Sequence, residues 1–190
     1  MEGYLTQPLF FVIKTVFFLY ILAVMLRFLL QWVRADFFNE ISQALIRVTQ
    51  PVLKPMRRFI PGIAGVDISS LVLAIILQAV MITLLMLIAY QTVDPVYVAL
   101  RTPIALVELI FYIYIGAILI TVVLSWVNPY QHHPLQTVLY SLTEPIMRPL
   151  RQVIPSLGGL DLTPMAAIIL LYVLKMLIMR PLNHAVPPIS

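Results

Sequence analysis

TQPVLKPMRRFIPGIAGVDIS, residues 49–69, recurs as TEPIMRPLRQVIPSLGGLDLT, residues 143–163, at an interval of 94 residues and without a gap. Trp32 and Trp126 are separated by the same interval. The matching positions include prolines, a glycine and an aspartate, and glycine and proline are the residues that backbone geometry constrains most. We therefore interpret the chain as two copies of one structural unit that pack against each other.

The composition predicts a membrane protein. The chain is 62% hydrophobic and 11% charged, with a mean hydropathy of +1.00, which is more apolar surface than a water-soluble chain of this length can bury. A helix needs roughly 20 apolar residues to cross the hydrocarbon core, whereas barrel strands are about ten residues long and alternate in polarity. Four continuous segments fit helices: 8–33, 68–90, 103–127 and 162–179. The predicted fold is an all-α membrane protein with four transmembrane helices, arranged as two parallel helix–amphipathic loop–helix repeats.

The repeat also sets domain boundaries and a topology. The first repeat covers residues 8–90, a linker covers 91–102 and the second repeat covers 103–184. Both repeat loops then lie on one side of the membrane, and both termini lie on the other. The loops carry seven basic residues, namely Arg34, Arg47, Lys54, Arg57, Arg58, Arg148 and Arg151. Because cytoplasmic loops are enriched in Lys and Arg, we expect cytoplasmic loops and non-cytoplasmic termini.

Each loop is amphipathic. Apolar residues recur at helical spacing after each first span, which predicts a helical segment at the membrane surface. Pro51 and Pro145 predict a break in that segment, since a residue before proline is pushed out of the α region. Pro55 and Pro149 then fit only the first turn of a second short segment. Its cations would bind anionic headgroups, whether it lies at the interface or is re-entrant: Lys54, Arg57, Arg58, Arg148 and Arg151.

The second span of each repeat is preceded by the same three features. These are a turn glycine, an aspartate and a predicted N-cap residue, namely Gly65, Asp67 and Ser69 in the first copy and Gly159, Asp161 and Thr163 in the second. The aspartates are placed to interact with the helix dipole or with the loop arginines. The alternative is a cation site formed by both aspartates near the pseudo-two-fold axis.

Charged residues within the spans are further candidates for function. Lys14 and Glu108 occupy equivalent positions, and Lys175 lies at a similar depth in the fourth span. The three would form one polar layer if the spans meet around the pseudo-axis. The alternative is that the lysines snorkel to the nearby interface. Arg27, which aligns with Thr121, is expected to snorkel as well.

Signals for catalysis are missing from the sequence. The absence of cysteine excludes disulfides and thiolate chemistry, and neither a phosphate-binding loop nor a nucleophile elbow is present. His132 and His133 are interpreted as a solvated loop pair, and the spans lack a histidine that could hold haem. We therefore expect no enzyme activity, no cofactor, no metal and no direct nucleic-acid partner.

The repeated unit, with T-[QE]-P-x-x-[KR]-P-x-R-x-x-I-P and G-x-D, resembles the YggT family of small bacterial and plastid membrane proteins. The two-copy length resembles the proteobacterial form. The resemblance implies a bacterial inner-membrane location and roles in osmotic or ion tolerance, in cell division and nucleoid distribution, or in assembly of a cytochrome complex. It implies no catalytic residue.

Two function classes follow. The first is support of osmotic or ion homeostasis, with potassium as the candidate ion, which requires polar residues around a permeation path. The second is a membrane scaffold or assembly factor, in which the basic amphipathic loops bind anionic lipid together with a protein partner or a second copy of the chain.

Overall fold

The computed structural model describes residues 2–60, 62, 66–127, 134–154 and 161–189. The predictions for Gly65, Gly159, His132 and His133 lie outside these residues. The described chain forms six α-helices. They are α1 (Glu2–Trp32), α2 (Glu40–Met56), α3 (Ile68–Tyr90), α4 (Pro95–Val127), α5 (Pro134–Val153) and α6 (Thr163–Ala185).

Four of these helices, α1, α3, α4 and α6, are long and apolar enough to cross a membrane, which confirms the predicted fold class. Their boundaries differ from the prediction. α4 begins at Pro95, inside the predicted linker, and only residues 91–94 separate it from α3. The local reason is that Asp94 Oδ1 accepts a hydrogen bond from the Val96 amide at 2.9 Å, and proline suits a first helical position. α6 likewise continues to Ala185, past the predicted end at 179.

The predicted break in each loop is wrong, because α2 and α5 each continue through their Thr-x-Pro motif. Pro55 and Pro149 lie near the ends of these helices rather than in a first turn. Each proline leaves a helical carbonyl without its amide partner. The threonine two residues earlier turns its hydroxyl back onto the helix, and Thr49 donates to Leu45 O at 2.7 Å and Thr143 to Leu139 O at 2.8 Å. Both threonines are buried, so tertiary packing outweighs the local preference of the residue before proline.

The N-caps also differ from the prediction. Asp67 caps α3 and Leu162 caps α6, so Ser69 and Thr163 lie inside their helices. Ser69 Oγ instead donates to Ile60 O at 2.7 Å, which ties the start of α3 to the segment that follows α2.

The larger core cluster spans both repeats. Most of its buried residues lie on α1 and α4, and it includes residues of α2, α3 and α5. Within the first repeat, α3 packs against α1. Small residues at this contact, Ser70 and Ala74, are fully buried, and small residues let membrane helices approach closely. The second cluster holds only Ile115, Ile118, Met147, Ala167 and Leu171.

The two amphipathic helices lie on the same side of the bundle, which we name the α2/α5 side. Asn39 accepts a hydrogen bond from the Ile41 amide at 2.9 Å and so caps α2. Its side-chain amide also donates to Pro134 O, at the start of α5, at 2.8 Å. One side chain therefore joins equivalent regions of the two repeats, as parallel repeats require.

Candidate functional site

Arg27 is buried against α2 in the first repeat. Its guanidinium donates to Thr49 Oγ1 at 2.6 Å and to Gln50 Oε1 at 3.1 Å, and a longer contact of 3.5 Å reaches Ile46 O. The expectation that Arg27 snorkels is wrong, since its side chain is only 5% exposed. The physical reason is that α2 folds across the end of α1 and supplies the acceptors that lipid headgroups would otherwise supply.

Asp67 forms the second half of this site. Its carboxylate is 3% exposed, pairs directly with Arg57 and accepts a hydrogen bond from Ser70 Oγ at 2.6 Å. Burial acts to raise the pKa of the Asp67 carboxyl, but the hydrogen bonds from Arg57 and Ser70 and the charge of Arg57 outweigh it, so the pKa lies below its ordinary value.

A cavity of about 490 Å³ opens between these groups, and we name it the first-repeat cavity. It is lined by Arg27, Gln31, Phe37, Ile46, Gln50, Arg57, Gly62 and Asp67.

The second repeat places different charges at the equivalent positions. Thr121 stands where the first repeat has Arg27, and Glu144 stands where it has Gln50. Arg151, the equivalent of Arg57, donates to Glu144 Oε2 at 2.9 Å, and its Nε lies 4.0 Å from Asp161 Oδ2. Asp161 accepts a hydrogen bond from the Thr163 amide at 2.9 Å. That hydrogen bond lowers the pKa of the Asp161 carboxyl, against a smaller opposing effect of burial.

A larger cavity of about 660 Å³, the second-repeat cavity, lies between α4, α5 and α6. Its lining includes the five residues that stand at an interval of 94 from lining residues of the first-repeat cavity. These are Thr121, Ser125, Tyr140, Arg151 and Asp161. The two cavities therefore occupy the same place in the two repeats, and the second one lacks the guanidinium that occupies the first.

The predicted loop cations fall into two groups. Lys54, Arg58 and Arg148 are exposed on the α2/α5 side, whereas Arg57 and Arg151 form the ion pairs described above. Only the first group is free to neutralise headgroups without breaking a contact within the described chain.

At the opposite end of the bundle, which we name the terminal side, Glu108 lies between two cations. Its carboxylate oxygens are 3.6 Å from Lys175 Nζ and 3.4 Å from Arg101 NH2. Arg101 also donates to Asn183 Oδ1 at 2.6 Å, and the Lys175 ammonium lies 3.7 Å from the centre of the Tyr112 ring. The fold thus brings Glu108 and Lys175 together.

The third predicted member of that layer, Lys14, is exposed, and its ammonium lies 6.0 Å from the Phe10 ring of its own helix. Sequence reasoning missed Arg101 because it placed this residue in a linker. The Asp94-Pro95 pair, a helix-start signal, would have placed Arg101 on α4.

The described residues contain no group of three or more His, Asp or Glu side chains that could hold a metal ion. Asp67 and Asp161 each bond to residues of their own repeat. This arrangement favours the structural role of the two aspartates over a shared cation site.

Comparison with known proteins extends over nearly the whole chain. The chain is 41% identical to the uncharacterized protein PA0392 of Pseudomonas aeruginosa over 174 residues, which covers 90% of this chain and 88% of the relative. It is 35% identical to the uncharacterized protein YggT of Escherichia coli K12 over 170 residues, with the same shares covered. A Vibrio alginolyticus protein described only by its position in the proC 3' region is 39% identical over 159 residues, covering 80% of this chain and 83% of the relative. No solved structure matches.

The family comparison follows the internal repeat. The CCB3/YggT family model matches twice, over residues 6–88 and over residues 100–182, so each match contains one pair of spans and one amphipathic helix. With four spans, a twofold family match and relatives of nearly equal length, the chain is a multi-pass membrane protein that belongs to the CCB3/YggT family.

Proposed function

We propose that the protein is a non-catalytic scaffold of the bacterial inner membrane, whose α2/α5 side faces the cytoplasm and binds anionic lipid and a protein partner. One observation carries the proposal: α2 and α5 contact each other, both helices carry exposed cations, and exposed aromatic side chains flank α2. Phe38 and Phe59 are 92% and 85% exposed, and they stand beside the exposed cations Arg47, Lys54 and Arg58.

The chemistry of this surface suits the headgroup region of a bilayer. Each Lys or Arg near an anionic leaflet contributes about 1 kcal/mol to binding, and salt screens that attraction. Aromatic rings inserted at the same depth add apolar contact. The cytoplasmic orientation rests on the basic residues of the loops, and the inner-membrane location rests on the family membership and its bacterial relatives.

Ion or osmotic homeostasis, with potassium as the candidate ion, is the second candidate. It is favoured by the ionisable residues inside the spans, because such residues often mark ion pathways. Within the described helices, however, the less exposed of these charges lie in separate clusters at opposite ends of the bundle, and Lys14 is exposed. Glu108 bonds Arg101 and Lys175 near the terminal side, and Arg27 bonds α2. Buried apolar residues such as Val24, Leu73 and Ile113 occupy the bundle between them, which favours the scaffold.

The experiment uses the exposed cations alone. Lys54, Arg58 and Arg148 are replaced by Gln, because these positions lie outside the ion pairs with Asp67, Glu144 and Asp161. A Phe59→Trp probe in a Trp32→Phe, Trp126→Phe background reports insertion. We expect its emission to shift to shorter wavelength in vesicles that contain phosphatidylglycerol. High salt should abolish the shift, and the triple Gln variant, which keeps Arg47, should reduce it.

Lys14→Gln, on the terminal side, is the matched control and should leave the shift unchanged. The same emission spectrum in vesicles with and without phosphatidylglycerol would contradict the lipid-binding proposal. Potassium flux through proteoliposomes of the wild-type protein would instead favour ion homeostasis.

A further inference from the structure

We propose that the second-repeat cavity binds one phospholipid with a primary ammonium headgroup, and that this ammonium takes the place that the Arg27 guanidinium occupies in the first repeat. The proposal concerns the bilayer-facing side of α4, α5 and α6, and it is independent of the scaffold function and of the orientation of the chain.

The first repeat shows what the site accepts. Its cation donates to a threonine hydroxyl and to the side-chain oxygen of the next residue, Thr49 and Gln50. The second repeat keeps the threonine, Thr143, and replaces the amide with the carboxylate of Glu144. The acceptors for a cation are therefore retained, and one of them becomes a carboxylate. Thr121, however, stands in place of the arginine, so the second repeat has no side chain at that position to supply the cation.

The charge balance of the two sites has opposite sign. Arg27, Arg57 and Asp67 sum to one positive charge in the first repeat, whereas Glu144, Arg151 and Asp161 sum to one negative charge in the second. A site with one excess carboxylate next to apolar walls is stabilised by an added cation. An anionic lipid carries no such cation and would meet the excess carboxylate.

The walls of the cavity select an amphiphile over a small soluble amine. Apart from its polar end, the lining is mostly apolar, and Leu119, Met165 and Ile169 are 48%, 64% and 53% exposed on the surface of membrane-spanning helices. An acyl chain can enter from the bilayer along these residues. Arg151 and Asp161 line the polar end, so Arg151, which is 39% exposed, is placed to bind the phosphate and Asp161 to accept from the ammonium. Glu144 bonds Arg151 and adds negative charge beside this end of the cavity. Phosphatidylethanolamine carries both groups, whereas the quaternary ammonium of a choline lipid has no N–H to donate.

Trp126 lines this cavity and Trp32 is the equivalent residue of the first repeat, and the chain has two tryptophans. In a Trp32→Phe background, Trp126 is the remaining tryptophan, so its fluorescence reports on the second-repeat cavity and on the lipid next to it. Purified full-length protein is titrated with acyl-chain-brominated phosphatidylethanolamine, phosphatidylcholine or phosphatidylglycerol in mixed micelles. Equal bromine content is used in each case, because the exposed part of Trp126 also meets bulk lipid.

We expect half-maximal quenching at about fivefold lower phosphatidylethanolamine than phosphatidylcholine or phosphatidylglycerol, the ratio that one partly exposed ion pair of about 1 kcal/mol gives. Thr121→Arg restores the first-repeat arrangement and should abolish the preference. Thr121→Val, which keeps the space, should retain it. Trp32, read in a Trp126→Phe background, should show no preference for phosphatidylethanolamine.

The proposal would be overturned by equal quenching by the three lipids or by stronger quenching by phosphatidylglycerol. It would also be overturned if the preference for phosphatidylethanolamine remained in Thr121→Arg. Circular dichroism establishes whether the arginine variant folds. If it does not, Glu144→Gln decides, because loss of that carboxylate should reduce the preference at least twofold, and an unchanged preference would reject the site.

Discussion

Asp67 and Asp161 occupy equivalent positions, yet their replacement by asparagine should have unequal effects on stability. The Asp67 carboxylate is 3% exposed and bonds both Arg57 and Ser70, whereas Asp161 is 55% exposed and lies 4.0 Å from its arginine. A hydrogen bond to a charged group contributes about 1.5–3 kcal/mol. Because the Arg57 side chain is 37% exposed, solvent recovers part of that, and we expect Asp67→Asn to cost about 1–2 kcal/mol. Asp161→Asn should cost about 0–0.5 kcal/mol, as for an exposed ion pair.

The assay is reversible unfolding of the purified protein in mixed micelles. Arg57→Gln is combined with Asp67→Asn, and Arg151→Gln with Asp161→Asn, so that two double-mutant cycles report the coupling energy of each pair. We expect a coupling of about 1 kcal/mol in the first repeat and a value near zero in the second. Equal costs for the two aspartates would refute the reasoning from burial. Non-additivity between Asp67→Asn and Asp161→Asn that appears only with one ion would revive the shared cation site.

Three further outcomes are expected. The pKa of Asp67 is lowered in the folded protein. Its contribution to the free energy of unfolding is therefore fully present above the ordinary carboxyl pKa of about 3.9 and is lost as the pH falls through the lower folded value. The free energy of unfolding of Asp67→Asn should accordingly change less with acid pH than that of the wild type. Arg27→Met leaves the buried Thr49 hydroxyl and the partly buried Gln50 side-chain oxygen without their guanidinium donor and should cost about 2–3 kcal/mol by thermal or denaturant melts, whereas Thr121→Met should cost less than 1 kcal/mol. Arg101→Gln removes the buried contacts to Glu108 and Asn183 and should lower stability by about 1–2 kcal/mol, while the exposed Lys14→Gln should change it by less than about 0.5 kcal/mol.

Much of this fold could be predicted because membrane spans depend on continuous apolar length, which is a local property of sequence. The repeat then related the two halves. The start of α4 could also have been predicted locally, since Asp94-Pro95 is a helix-start signal, but Arg101 and Thr102 interrupt the apolar run and the span was placed after them. The continuity of α2 through Pro51 was not available locally. It depends on burial of Thr49 beneath Arg27, a residue 22 positions earlier in the chain.

The partners of the charged residues could not be predicted for the same reason. The ion pair between Lys175 and Glu108 depends on which faces of α4 and α6 meet, and a hydrophobic span carries little periodic pattern to specify that face. Snorkelling is the sound expectation for an isolated arginine near a helix end. It is wrong for Arg27 because the expectation treats the headgroups as the nearest acceptors, whereas α2 supplies closer ones.

The difference between the repeats has a single physical cause. In the first repeat the cation that bonds Thr49 and Gln50 of the amphipathic helix belongs to the chain, because α1 carries the Arg27 side chain into the site. In the second repeat the same backbone surrounds Thr121, and the acceptors at Thr143 and Glu144 remain without that internal donor. Arg151 is shared between Glu144 and Asp161, so these three residues keep one excess negative charge, which attracts an added cation. The unequal charge of two otherwise matching sites is therefore the strongest reason to search for a ligand in the second repeat rather than in the first.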